Sequence, residues 1–117
     1  MTGWHVFPIL TTTGILQKVI GIVTDRYSDS QFSTKEFGQS IGLGRIQLNR
    51  KVKALTGQTT VSFIRTFRLN RAAELLKKES ATVAEIAYSV GFNSPSYFTE
   101  CFNQYFGQLP SEYAENS

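Results

Sequence analysis

Residues 59–78, TTVSFIRTFRLNRAAELLKK, change their apolar side half-way along, and no other stretch constrains the fold as strongly. Gly57 precedes the segment, it holds neither proline nor glycine, and good helix formers crowd its second half. Wound at about 100° per residue, Phe63, Ile64 and Phe67 fall on one side, and Leu69, Ala72, Ala73 and Leu76 on nearly the opposite one. A helix lying on one core has a single apolar stripe. A helix with two opposed stripes has a different core packed on each end. The segment therefore predicts a rod of roughly 27–30 Å that joins two small helical bundles.

The N-terminal flank begins with residues 1–13, MTGWHVFPILTTT, which lack a sustained period and carry Gly3 and Pro8. They read as a flexible tail or remnant, with Trp4, Phe7 and Ile9 available to dock on a groove. From Gly14 onward Ile15, Leu16, Val19, Ile20, Val23 and Tyr27 recur at three and four, an amphipathic helix ending near Tyr27. Ser33-Thr34-Lys35-Glu36 is a capping box, in which the Ser hydroxyl accepts from the third helical N–H and the Glu reaches back. The helix it opens is stopped by Gly42-Leu43-Gly44, and a second runs from Arg45 to a stop at Gly57. Leu48, Val52 and Leu55 form the inner face of that second helix, with Ile46, Asn49, Arg50 and Lys53 outside. Two short helices around a glycine turn are helix-turn-helix geometry. Gly38 is expected to let the two approach closely.

The same arrangement returns after the rod. Thr82-Val83-Ala84-Glu85 is a second capping box, Ala87 stands for Gly38, and Gly91-Phe92 stands for Gly42-Leu43, all at an offset of 49 residues. One further residue in the turn moves Leu48 and Val52 onto Phe98 and Phe102. Such a repeat points to duplicated units rather than coincidence. The outer helix of the second copy has Ser94 as cap, Pro95 at its first position and Gly107 as its stop. Phe98, Cys101, Phe102, Tyr105 and Phe106 are expected inside, and Ser96, Thr99, Glu100 and Asn103 outside. A last short helix begins near Leu109-Pro110, with residues 114–117 fraying. The division expected is a tail over 1–13, a first unit over 14–58, the rod over 59–78 and a second unit over 79–117.

Charge separates the two units. Residues 1–78 hold all 12 Lys and Arg against Asp25, Asp29, Glu36 and Glu74. Residues 79–117 hold five glutamates and no cation. A polyanionic partner would be held mainly by the first two-thirds. The single histidine, His5, lies in the tail and the single cysteine is Cys101. Metal ligation, histidine catalysis and an internal disulfide therefore lack parts, there is no nucleophile elbow or phosphate-binding glycine loop, and no enzyme activity or cofactor is expected. No apolar run approaches the roughly 20 residues of a membrane span. Nothing resembles a signal peptide, so a cytoplasmic, nucleoid-associated location is expected, with no membrane contact. Cys101 reads as a small buried apolar residue. Arg65, Arg68 and Arg71 read as ion-pairing or stem-packing residues of the rod.

The blocks Ile86-Ala87-Tyr88-Ser89-Val90-Gly91-Phe92, Ser94-Pro95-Ser96-Tyr97-Phe98, Tyr105-Phe106-Gly107 and Lys53-Ala54-Leu55-Thr56-Gly57 stand in an order that resembles the DNA-binding domain of AraC/XylS transcription regulators. Phe63-Ile64-Arg65 and Arg71-Ala72-Ala73-Glu74-Leu75-Leu76 extend the resemblance, which covers residues 15–113. It implies an all-α fold of about seven helices: two helix-turn-helix units joined by a long linking helix and placed in successive major grooves of double-stranded DNA. It implies base reading by Ile46, Asn49 and Arg50 with Arg45 near phosphate, and by Ser96, Thr99 and Glu100 in the second unit. The chemistry agrees, since Arg pairs with guanine, Asn with adenine, and Ile meets a thymine methyl. The wording is most similar to the output end of hybrid two-component regulators, dimerised through regions outside this chain. Two departures stand out: Gly44 replaces the usual Ser cap, and Glu100, Asn103 and Gln104 occupy positions the family commonly makes basic. They shift the expected affinity to the first unit. The alternative is a helical interaction module with weakened DNA binding, its acidic second unit contacting a protein such as RNA polymerase.

Overall fold

The computed structural model describes residues 3–78 and 80–116; the side chains of residues 1–13 lie outside the described ones. Among the described residues all regular structure is helical: α1 (Gly3–Arg26), α2 (Thr34–Ile41), α3 (Arg45–Thr56), α4 (Thr60–Lys78), α5 (Val83–Ser89), α6 (Pro95–Phe106) and α7 (Pro110–Glu115). The molecule measures 51 × 31 × 21 Å, elongated as a rod between two bundles requires.

The rod, α4, divides its buried side chains as its sequence predicts. Ile64, with half-buried Phe63 and Phe67, packs on a first core of Val19, Val23, Phe32, Phe37, Leu48 and Val52. Leu69, Ala72, Ala73 and Leu76 enter a second core with Ile86, Val90, Phe98 and Phe102. The first core is mainly aliphatic. The second is a chain of rings in which Phe102 lies 5.6 Å from Phe98, 4.5 Å from Phe106 and 5.4 Å from Tyr113. Burying each such ring stabilises the unit by about 1.5–3 kcal/mol. Tyr27, at the end of α1, packs against both cores.

The duplicated turns match in their backbone bonds. Leu43 N–H donates to the Gly38 carbonyl at 2.9 Å, and Phe92 N–H donates to the Ala87 carbonyl at 3.0 Å. At Gly38 an added Cβ would lie 2.5 Å from the Leu43 carbonyl oxygen and 3.9 Å from the Leu48 side chain. The turn, more than the facing helix, excludes a side chain there. The second capping box is reciprocal: Thr82 N–H donates to Glu85 Oε1 at 2.8 Å and Glu85 N–H donates to Thr82 Oγ1 at 3.1 Å. In the first, Glu36 accepts the Ser33 N–H at 3.2 Å and also the Ser33 hydroxyl.

Three local expectations are revised. Helix α1 begins at Gly3 and not near Gly14, running through Pro8 and the stretch read as a tail. Adding residues to an existing helix costs far less than starting one. Tyr105, expected inside, is 48% exposed: its ring rests edge-on against Phe106 at the surface and its hydroxyl accepts from the Asn70 amide at 3.3 Å. Helix α7 continues to Glu115, beyond the expected fraying point.

Candidate nucleic-acid interface

Helix α3 places a free positive face on the first unit. Its inner residues Leu48 and Val52 are fully buried and fix its rotation. Arg45, Arg50, Lys51 and Lys53 are exposed on the remaining surface, and none of them forms an ion pair or side-chain hydrogen bond among the described residues. Ile46 is 71% exposed, so its aliphatic side chain stands open to water. Cations without carboxylate partners around an exposed aliphatic group can meet phosphates and a base methyl together.

Asn49 stands apart from that group. It is half-buried, and its Oδ1 accepts the Thr60 N–H at 3.1 Å. The first N–H groups of a helix have no partner within it, and Asn49 supplies one to the rod across the turn at Gly57. Thr59 contributes a second, its hydroxyl accepting the Ser62 N–H at 3.2 Å. The Thr60 hydroxyl, fully buried beneath, has no hydrogen-bond partner among the described residues. Helical spacing put Asn49 on the outer face with Ile46 and Lys53. The fold instead turns its side chain to the rod.

Helix α6 offers a neutral to acidic counterpart. Ser94 caps it by accepting the Tyr97 N–H at 3.2 Å, and Pro95 opens it. Ser96 and Glu100 are exposed and Thr99 is half-buried. No Lys or Arg lies on α6, so its surface holds hydrogen-bonding groups but no phosphate clamp.

The three rod arginines have separate fates. Arg71 pairs with Glu74 at 2.9 Å and donates to the Tyr27 hydroxyl at 3.1 Å. Arg68 donates to backbone carbonyls and makes no ion pair among the described residues: Nε to Tyr27 at 2.8 Å, and one terminal nitrogen to Asp29 at 3.0 Å and Phe32 at 3.4 Å. Burial lowers the pKa of its guanidinium, and the Asp29 carboxylate opposes that effect. Arg65 has no partner among the described residues and lines two clefts between the units, one of about 410 Å³ with Phe92 and Tyr97 and one of about 350 Å³ with Glu100 and Gln104. Periodicity gave no means of separating these three: Glu74 lies one helical turn from Arg71, but the Tyr27, Asp29 and Phe32 groups that hold Arg68 and Arg71 lie 36 to 44 residues away.

A family model described as a helix-turn-helix domain matches residues 37–116. The chain is 41% identical over 99 residues to a histidine kinase from Formosa agariphila, covering 85% of this chain and 7% of that protein. It is 32% identical over 99 residues to the HTH-type transcriptional regulator MtrA of Neisseria gonorrhoeae, covering 85% and 31% respectively. Among solved structures, the C-terminal domain of the two-component response regulator yesN from Fusobacterium nucleatum superposes with a TM-score of 0.81 at 26% identity, over 86% of this chain and 98% of that one. The DNA-binding domain of AdpA, in complex with a target DNA, superposes with a TM-score of 0.81 at 25% identity, over 86% and 90%. The chain belongs to the AraC-type helix-turn-helix family. This AraC-type domain spans from 7% to about a third of the length of those curated relatives, and its likeness to the kinase is confined to the same small part. As an AraC-type domain it is a DNA-binding module of transcription regulation. Among the described residues no cluster of metal-ligating side chains occurs, and no helix is long and apolar enough to cross a membrane.

Proposed function

We propose that this AraC-type domain is the sequence-specific output part of a larger transcription regulator, which seats α3 and α6 in successive major grooves of double-stranded DNA. The observation that carries the reading is the unpaired cationic face of α3 around the exposed Ile46. In this reading Arg45 and Lys53 hold phosphates, Arg50 reads guanine through its two acceptors, and Ile46 meets a thymine methyl. Asn49, its oxygen engaged by the rod, positions α3 rather than reading adenine. The second unit supplies discrimination more than affinity: Ser96 and Thr99 offer hydroxyls, and Glu100 accepts from cytosine N4. Lacking cations, α6 relies on α3 for most of the Coulomb attraction.

The likeness to a histidine kinase and to the C-terminal domain of a two-component response regulator supports a two-component context. A cytoplasmic, nucleoid-bound location, dimerisation through regions outside these residues and a contact with RNA polymerase belong to the same proposal. Selection from a random duplex pool tests it. Enrichment of two half-sites about 10 base pairs apart is expected, with Arg50→Ala relaxing a guanine and Ile46→Ala a thymine. A pool that shows no enrichment with the folded wild type overturns it.

A further inference from the structure

Three segments distant in sequence meet at one point between the two units. Arg68, midway along α4, donates to the carbonyls of Tyr27 and Asp29 just past the end of α1, at 2.8 and 3.0 Å. Beside the Arg68–Tyr27 hydrogen bond lies Gly91, in the turn of the second unit. A Cβ built on Gly91 would stand 2.7 Å from Arg68 Nε and 3.1 Å from its Cζ, and closer still to the Tyr27 carbonyl oxygen. The equivalent glycine of the first unit, Gly42, has nothing within 4 Å of such an atom. The close approach is therefore a property of this joint and not of the repeated turn. A guanidinium is planar and rigid, and two bonds from one fork fix its direction in a way that a single ammonium cannot.

We infer that Arg68 is a positioning residue that fixes the half-site spacing this domain accepts, by locking the end of α1 to the turn that carries α6. The inference rests on the DNA-binding reading. The rod alone sets the distance between the units, whereas the Arg68 joint sets their rotation about it. Each base pair added between half-sites turns one of them by about 35° around the duplex. A rigid pair of units rejects that rotation, and a loosened pair follows it.

The test compares wild type with Arg68→Lys, which keeps the charge and stem but loses the fork, and with Arg68→Met. NMR residual dipolar couplings report the orientation of the two units without any DNA. One alignment tensor is expected to describe both units of the wild type, and separate tensors those of each variant. A common tensor retained in the folded variants, or separate tensors already in the wild type, overturns the inference. Binding is then measured on the selected site with its spacer changed by one and two base pairs. Wild type is expected to lose about tenfold in affinity per base pair and Arg68→Lys less than about threefold across the series, on the scale of one mismatched contact. An unchanged spacing profile in the variant also overturns it. Absence of any wild-type binding would instead count against the DNA-binding reading, while the couplings still decide the joint.

Discussion

The Asn49 side-chain oxygen accepts the backbone N–H of Thr60, joining the middle of α3 to the first residue of the rod at 3.1 Å. A side chain of α3 thus caps the helix that carries the second unit. Replacing a capping side chain by alanine costs about 1 kcal/mol. Asn49→Ala is expected to lower stability by that amount in chemical denaturation and to weaken DNA binding evenly across sites. A base reader would behave otherwise. If single-base variants of the selected site show Asn49→Ala relaxing one adenine alone, the positioning role is wrong.

Beneath that bond the Thr60 hydroxyl is fully buried without a partner among the described residues. A buried hydroxyl with no bond carries its desolvation cost uncompensated. Thr60→Val removes the hydroxyl and keeps the shape, so it is expected to be neutral or to stabilise by about 1 kcal/mol. That corresponds to a rise in Tm of about 4 °C for a chain of this size. A fall in Tm of more than about 2 °C would contradict this.

The two turn glycines share a positive φ, 79° at Gly42 and 99° at Gly91, but only Gly91 is packed against other groups. Asparagine tolerates the left-handed region better than other side chains. Gly42→Asn is expected to cost less than about 1 kcal/mol, and Gly91→Asn more than about 2 kcal/mol. Equal losses in thermal unfolding would remove the distinction between the two turns.

Both capping-box carboxylates are held below the ordinary glutamate pKa, Glu36 chiefly by the Ser33 hydroxyl and Glu85 chiefly by the Thr82 N–H. A carboxylate with a depressed folded pKa stabilises the fold fully above the unfolded value near 4.3, and that share is lost as pH falls through the lower folded value. The Glu36→Gln, Glu85→Gln variant is expected to have a lower denaturation midpoint at pH 7. Its decline below about pH 4.3 should be shallower than that of the wild type. Parallel acid limbs for the two proteins would contradict this.

How far the sequence could be read follows the range of the interactions. The rod and its two cores were legible because Ile64 and Leu69 obey local helical geometry, and the repeat because Gly42 and Gly91 occupy equivalent turns. The inner faces followed too, since Leu48 and Phe98 recur at helical spacing among polar neighbours. Asn49 was not legible: periodicity gives its angle around α3 but not the path of the chain after Gly57. Arg68 was less so, for its bond to Tyr27 spans 41 residues and joins a side chain to a carbonyl that every residue possesses. Tyr105 misled because an aromatic ring at an inner spacing can rest on Phe106 and still face water.

The most direct test of the account is the salt dependence of binding to a labelled random-sequence duplex, followed by fluorescence anisotropy for wild type and for Arg50→Ala with Lys53→Ala. Log affinity should fall linearly with log salt, and loss of two cations from α3 should reduce the slope by about 1–2. No wild-type binding at the lowest salt, or an unchanged slope in the folded double variant, would contradict the claim that α3 of the first unit is the principal DNA contact.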